Sequence, residues 1–322
     1  MRLVCGWGRI SSRASNSRFV PANLEFLEAF VIRPRRPAQS LDALLIALYV
    51  LLDEMLPRRE RAHVSDAELI CLAVAQVMLG YASERHWLRN ARKHVGYLFP
   101  RMLDQSNYTR RLRVLGPQMV EAMLLVSHIS DAACDRVKLI DSTPVPVAMS
   151  RETVKRSAFA GTAEYGYCAS HSRYFYGFRL HLVCAPCGMP IAFELAPAKT
   201  DERDVARMLA ERFLRSGDVL MGDKGYRSEH LEHDLAYGGI TLIRPDRKDE
   251  PKRFGNLGGM RQWIESIIDS LKGQLSLEDH GARQMDSLIS RIARRMLALA
   301  TAVWHNMQIG APPRNLTAYD HS

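Results

Sequence analysis

Three short stretches, each presenting one carboxylate, constrain this chain more than anything else in it. Lys138-Leu139-Ile140 reads as a buried strand whose polar end carries Asp141, followed by Ser142-Thr143. Val219-Leu220-Met221-Gly222-Asp223-Lys224-Gly225-Tyr226 repeats that design 82 positions later (223 − 141). Met260 to Leu275 then reads as a helix bearing Arg261, Glu265 and Lys272. Apolar strands ending in Asp, joined by a helical Glu, are how a sheet assembles acidic ligands for divalent metal ions.

The elements between these stretches predict one architecture. Val137–Ile140, Tyr174–Cys184 and Met189–Leu195 read as an antiparallel meander turning at Pro186-Cys187-Gly188. A helix over Glu202–Leu214 is capped by Asp201 or Thr200. Val219–Met221, a short helix at Glu229–Tyr237 and a strand at Ile240–Ile243 follow, then a loop from Lys248 to Gly259. That order, strand-strand-strand-helix-strand-helix-strand-helix, is an α/β RNase H-like mixed five-stranded sheet with flanking helices. Arg151–Ser172 shows no periodicity and is expected to be a connection. Ser287–Gln308 is expected to be a final amphipathic helix carrying Arg291, Arg294 and Arg295.

The part before Val137 is helical throughout. Leu41–Leu56 is the first helix, and Ser65-Asp66-Ala67-Glu68 is a capping box that starts a second, stopped at Gly80. Ser83–Val95, Tyr108–Leu115 and Pro117–Ser130 complete the set. These patterns divide the chain into a basic extension (1–38), an all-α DNA-binding domain (39–132), a catalytic domain (133–309) and an untied tail (310–322). The extension reads as a mobile basic segment or a mis-called start, with a DNA-touching arm as the functional alternative.

Charge bears on the partner. A formal net charge of +9 favours a polyanion. Arg89, Arg92, Arg110 and Arg111 cluster on two short helices, where one helix can enter a major groove while cations neutralise phosphates. A solvated helix face explains them equally well. The longest apolar run, Ala43–Leu52, is too short to span a bilayer, which needs ~20 residues, so no membrane is expected and the cytoplasm is the default compartment. Cys168-Ala-Ser-His171 and Cys184-Ala-Pro-Cys187 resemble two halves of a zinc site, but a single long strand separates them.

On the helix, Arg261, Glu265 and Lys272 share a face, so cations that can hold phosphates flank a carboxylate that can bind metal. Ile140-Asp141-Ser142-Thr143, Gly222-Asp223-Lys224-Gly225-Tyr226 and Arg261-x3-Glu265-x6-Lys272 resemble the DDE transposases of bacterial insertion sequences, over about residues 137–275. The resemblance implies cutting and joining of double-stranded DNA at terminal inverted repeats and target sites, with two Mg²⁺ (or Mn²⁺) ions on a homodimer. By motif match it makes Asp141, Asp223 and Glu265 the catalytic metal ligands, with Arg261, Lys272 and Lys224 as basic DNA contacts. Many members carry a Tyr three residues before the Arg, where this chain has Gly258. The 42 residues from Asp223 to Glu265 (265 − 223) leave no room for a large inserted domain. Two rivals stay open: a catalytically silent DNA-binding protein on the same scaffold, and a stand-alone RNase H-like nuclease.

Overall fold

The computed structural model describes residues 39–57, 62–148, 151–168, 172–255 and 257–319; the expected basic extension lies outside them. Five helices come first: α1 (Leu41–Met55), α2 (Asp66–Met78), α3 (Glu84–Val95), α4 (Gln105–Val114) and α5 (Gly116–Ile129). The capping box forms as read, with Ser65 Oγ accepting from the Glu68 N–H and Glu68 Oε2 from the Ser65 N–H. Gly80 sits at a φ of +70° just past α2, the left-handed turn that stops it. Buried on nearly every face, α2 is the centre of this bundle.

The sheet follows: β1 (Val137–Ala148), β2 (Glu164–Cys168), β3 (Arg173–Cys184), β4 (Pro190–Pro197), β5 (Val219–Met221) and β6 (Thr241–Ile243). Around it lie α6 (Arg151–Lys155), α7 (Glu202–Phe213), α8 (Glu229–Tyr237) and α9 (Gly258–Lys272). β3 pairs antiparallel with β1 on one edge and with β4 on the other; β5 runs parallel to β1, and β6 parallel to β5. The resulting order β4-β3-β1-β5-β6 is the mixed RNase H-like arrangement expected from the element sequence.

Two expectations need correction. β1 does not end at Asp141 but runs on through Pro144 and Pro146 to Ala148. Its pairing with β5 stops at Leu139, so beyond that point β1 is an edge strand, where prolines cost no ladder bond on the open side. The stretch 151–172 is not featureless either. It contains α6 and β2, which extends β3 along Arg173–Gly177. Tyr165 and Tyr167 of β2 lie exposed, in ring contact with Tyr176 and Tyr174 across the pair, so no apolar alternation marks the strand.

The last helix, α10 (Met285–Ile309), packs on α5 and α2 and touches α1 and α4, joining the chain's end to its beginning. The described residues form one compact unit, so the change of pattern near residue 132 is not a gap in packing. The tail is tied down as far as Tyr319. Leu316 and Tyr319 are buried, and the Tyr319 hydroxyl meets His305 Nδ1 at 2.8 Å and donates to Asn306 Oδ1 at 2.5 Å.

Candidate active site

The two aspartates are set by strand register. Val137, Lys138 and Leu139 pair with Val219, Leu220 and Met221, an offset of 82 (219 − 137), the same as that between Asp141 and Asp223. Because side chains alternate along paired strands, residues 141 and 223 fall on one face where β5 ends and β1 continues. Packing at Gly222 shows the offset persisting: a Cβ there would meet Ile140 Cγ2 at 3.1 Å and Tyr226 Cδ2 at 2.7 Å. Only a bare backbone lets these strands approach so closely. Asp223 then caps a short turn, its Oδ1 accepting from the Gly225 N–H at 2.7 Å.

Glu265 lies exposed on α9, the helix that packs against β1. Burial first, then the charges of Asp223, Glu202 and Glu265, push the Asp141 carboxyl up to about 7, against a 2.8 Å hydrogen bond from the Ser142 N–H. Lys272, at the end of α9, pairs with Glu278 at 3.5 Å, and Lys224 is exposed beside Asp223. Arg261 lies within α9, and its side chain is outside the described ones.

Glu202 is the residue that reading the sequence passed over. Its Oε1 accepts from Ser142 Oγ at 2.7 Å and Arg179 Nη1 at 2.8 Å, beside Asp141. Asp201 does cap α7 as expected, accepting from the Arg203 N–H, and Asp204 pairs with Arg207. That capping pattern is why Glu202 drew no attention. The only signal was its place in the first turn of a helix that follows the third strand. Arg179 bridges Ser142, Glu202 and the Tyr167 carbonyl. The Tyr226 hydroxyl is buried in this neighbourhood without a hydrogen-bond partner, and burial with the charges of Asp141, Glu202 and Asp223 raises it well above its usual value. His181 is fully buried in β3, and burial and Arg179 lower it to about 3.

The donor set suits a hard divalent cation. Every candidate ligand is an oxygen, burial and then the neighbouring carboxylate charges raise the Asp141 carboxyl, and the buried Tyr226 hydroxyl lacks a partner. Among the described residues, no three His, Cys, Asp or Glu side chains are already drawn close enough to enclose an ion.

The four arginines chosen for DNA contact divide. Arg89, Arg92 and Arg110 are exposed, Arg110 donating to Asn107 Oδ1 at 2.9 Å. Arg111 is turned inward, donating to Asp66 at 2.5 Å and to the Val64 carbonyl at 2.8 Å, so it anchors the start of α2. Among the described residues no helix is long and apolar enough to cross a membrane.

Residues 131–285 match a family described as a transposase DDE domain. That span contains the whole sheet, α9 and all three acids. Neither the curated proteins nor the solved structures yield a match.

Proposed function

We propose, from the transposase DDE domain that residues 131–285 constitute, that the protein cuts DNA at the ends of an insertion sequence and joins those ends to target DNA. The observation that carries this reading is the parallel register of β1 and β5, which sets residues 141 and 223 on one face, where the charges of Asp223 and Glu265 both raise the Asp141 carboxyl. Asp141, Asp223 and Glu265 would hold Mg²⁺ or Mn²⁺, a pair of which neutralises the scissile phosphate, acidifies the attacking hydroxyl and stabilises the leaving oxygen.

The chain's own groups supply position. Lys224 and Lys272 flank the acids and attract the phosphates on either side of the scissile bond. Ser142 and Arg179 hold Glu202 at the edge of the cluster, which keeps a fourth negative charge beside Asp141. The Tyr226 hydroxyl offers a hydrogen bond to a water or phosphate oxygen entering there. Hydrolysis at the element boundary frees a 3′-hydroxyl, and attack of that oxygen on a target phosphodiester forms the new bond while the old target bond breaks. The exposed Arg89, Arg92 and Arg110 hold duplex DNA, with the two element ends brought together by a homodimer in the cytoplasm.

Asp223→Asn tests the reading. The variant should lose metal-dependent cleavage of terminal-repeat DNA and formation of the strand-transfer product, while its fold and DNA affinity stay unchanged. Undiminished cutting by Asp223→Asn eliminates the proposal.

A further inference from the structure

A cleft of about 520 Å³ opens between the start of α3, the helix α4 and the segment leading from α9 into α10. Its walls carry Arg85, Arg113, Arg283 and Arg291 against two acids, Glu84 and Asp279. One of those acids is already neutralised: Glu84 pairs with Arg291 at 3.0 Å and Arg294 at 3.3 Å, and accepts from the Thr109 hydroxyl at 2.7 Å. Among the described residues neither Arg85 nor Arg283 pairs with a carboxylate, and Arg113 donates to a neutral partner, Gln284 Oε1, at 3.2 Å. The Arg291 Nε is buried with no acceptor. Guanidinium groups gathered this way repel one another, and a planar donor fork left open is suited to a phosphate.

Placement indicates which phosphate. Lys272, at the end of the helix that bears Glu265, shares Glu278 with Arg173, and Asp279, the next residue, lines the cleft. The loop between them is pinned to β1, His280 Nε2 meeting the Pro146 carbonyl at 2.9 Å. Seven residues of helix from Glu265 to Lys272 cover only about 10 Å. On the other side Arg85 shares a face of α3 with Arg89 and Arg92 at i, i+4 and i+7. The cleft therefore lies on a cationic path from the acidic cluster to the exposed helix. It is an open trough, matched to a run of backbone rather than to a small enclosed anion.

We propose that this cleft grips the sugar–phosphate backbone of duplex DNA beside the scissile bond, through Arg85, Arg113 and Arg283. The inference rests on the DNA-cutting reading above and adds a binding site drawn from both ends of the chain. A backbone contact carries no sequence information, so it should act on every duplex alike.

Fluorescence anisotropy of the full chain with two labelled duplexes, one carrying the element end and one unrelated, tests it across a salt series. Each phosphate contact contributes about 0.9 to the slope of log affinity against log salt. The triple variant Arg85→Ala, Arg113→Ala, Arg283→Ala should lose about 2–3 from that slope on both duplexes, with its denaturation midpoint unchanged. The three single variants should each lose about 1, which keeps the test decisive should the triple variant not fold. A wild-type slope in variants that bind overturns the inference while leaving the cutting function intact. A wild-type chain that binds neither duplex overturns both.

Discussion

Glu84→Gln is the perturbation that most directly probes how the helical part is joined to the rest. Glu84 opens α3, while Arg291 and Arg294 come from α10, more than 200 residues away. The side chains of Glu84 and Arg294 are 7% and 1% exposed, so the charges meet out of water. Burial alone would raise the Glu84 carboxyl, yet Arg294, Arg291 and the Thr109 hydroxyl outweigh it and hold the group below its ordinary value. Substitution by Gln keeps the shape and one acceptor oxygen but removes the negative charge that Arg294 and Arg291 face, leaving Arg294 with neutral partners only, Gln76 Oε1 at 3.3 Å among them. Removing one partner of a buried pair costs about 3–5 kcal/mol, a large part of the ~5–15 kcal/mol that holds a domain folded. Urea denaturation reads this as a fall in midpoint at unchanged m-value. The triple variant Glu84→Leu, Arg291→Met, Arg294→Met, which removes all three charges of the cluster, should recover much of the loss. A Glu84→Gln chain within about 1 kcal/mol of wild type would refute the reasoning.

Two further outcomes follow from the same geometry. The Ala282 N–H donates to His280 Nδ1 at 3.0 Å, so the ring is neutral with its proton on Nε2, and burial lowers it to about 4. Unfolded, it takes a proton near 6.5. Its stability is therefore complete above that value and is lost as pH falls toward 4, by ~2 kcal/mol between about pH 7 and pH 5. In urea titrations His280→Gln should show a pH-dependent drop smaller by that amount, and an identical drop would contradict the assignment. Gly222→Ala should lower stability by about 1–3 kcal/mol in thermal denaturation, because the added methyl meets the buried Tyr226 ring at 2.7 Å; an unchanged midpoint would show that the strands do not approach so closely.

Much of this could be read from residue order because the signals were local. The Ser65–Glu68 box, the Asp201 cap and the short apolar strands each specify their element without long-range help. The matching offsets of strand pair and aspartate pair made Asp141 and Asp223 visible as partners. What stayed hidden depends on contacts between distant segments. Pro144 and Pro146 look like terminators until β5 is seen to stop at Met221, opposite Leu139. β2 lacks an apolar face because tyrosines cover its exposed side. Arg294 and Arg295 look like surface charges on an amphipathic helix, yet both are buried, and Arg295 donates to the carbonyls of Leu275 and Ser276. Tyr319 gains its burial only because the chain's end returns to α10.

Manganese binding, followed by the electron paramagnetic resonance of free Mn²⁺ during titration of the full chain, tests the shared carboxylate centre most directly. Wild-type protein should remove Mn²⁺ from solution, and Asp141→Asn and Asp223→Asn should each weaken that uptake by at least about tenfold, the order of loss expected when a charged ligand becomes neutral. Uptake by both variants equal to that of the wild-type chain would contradict the account.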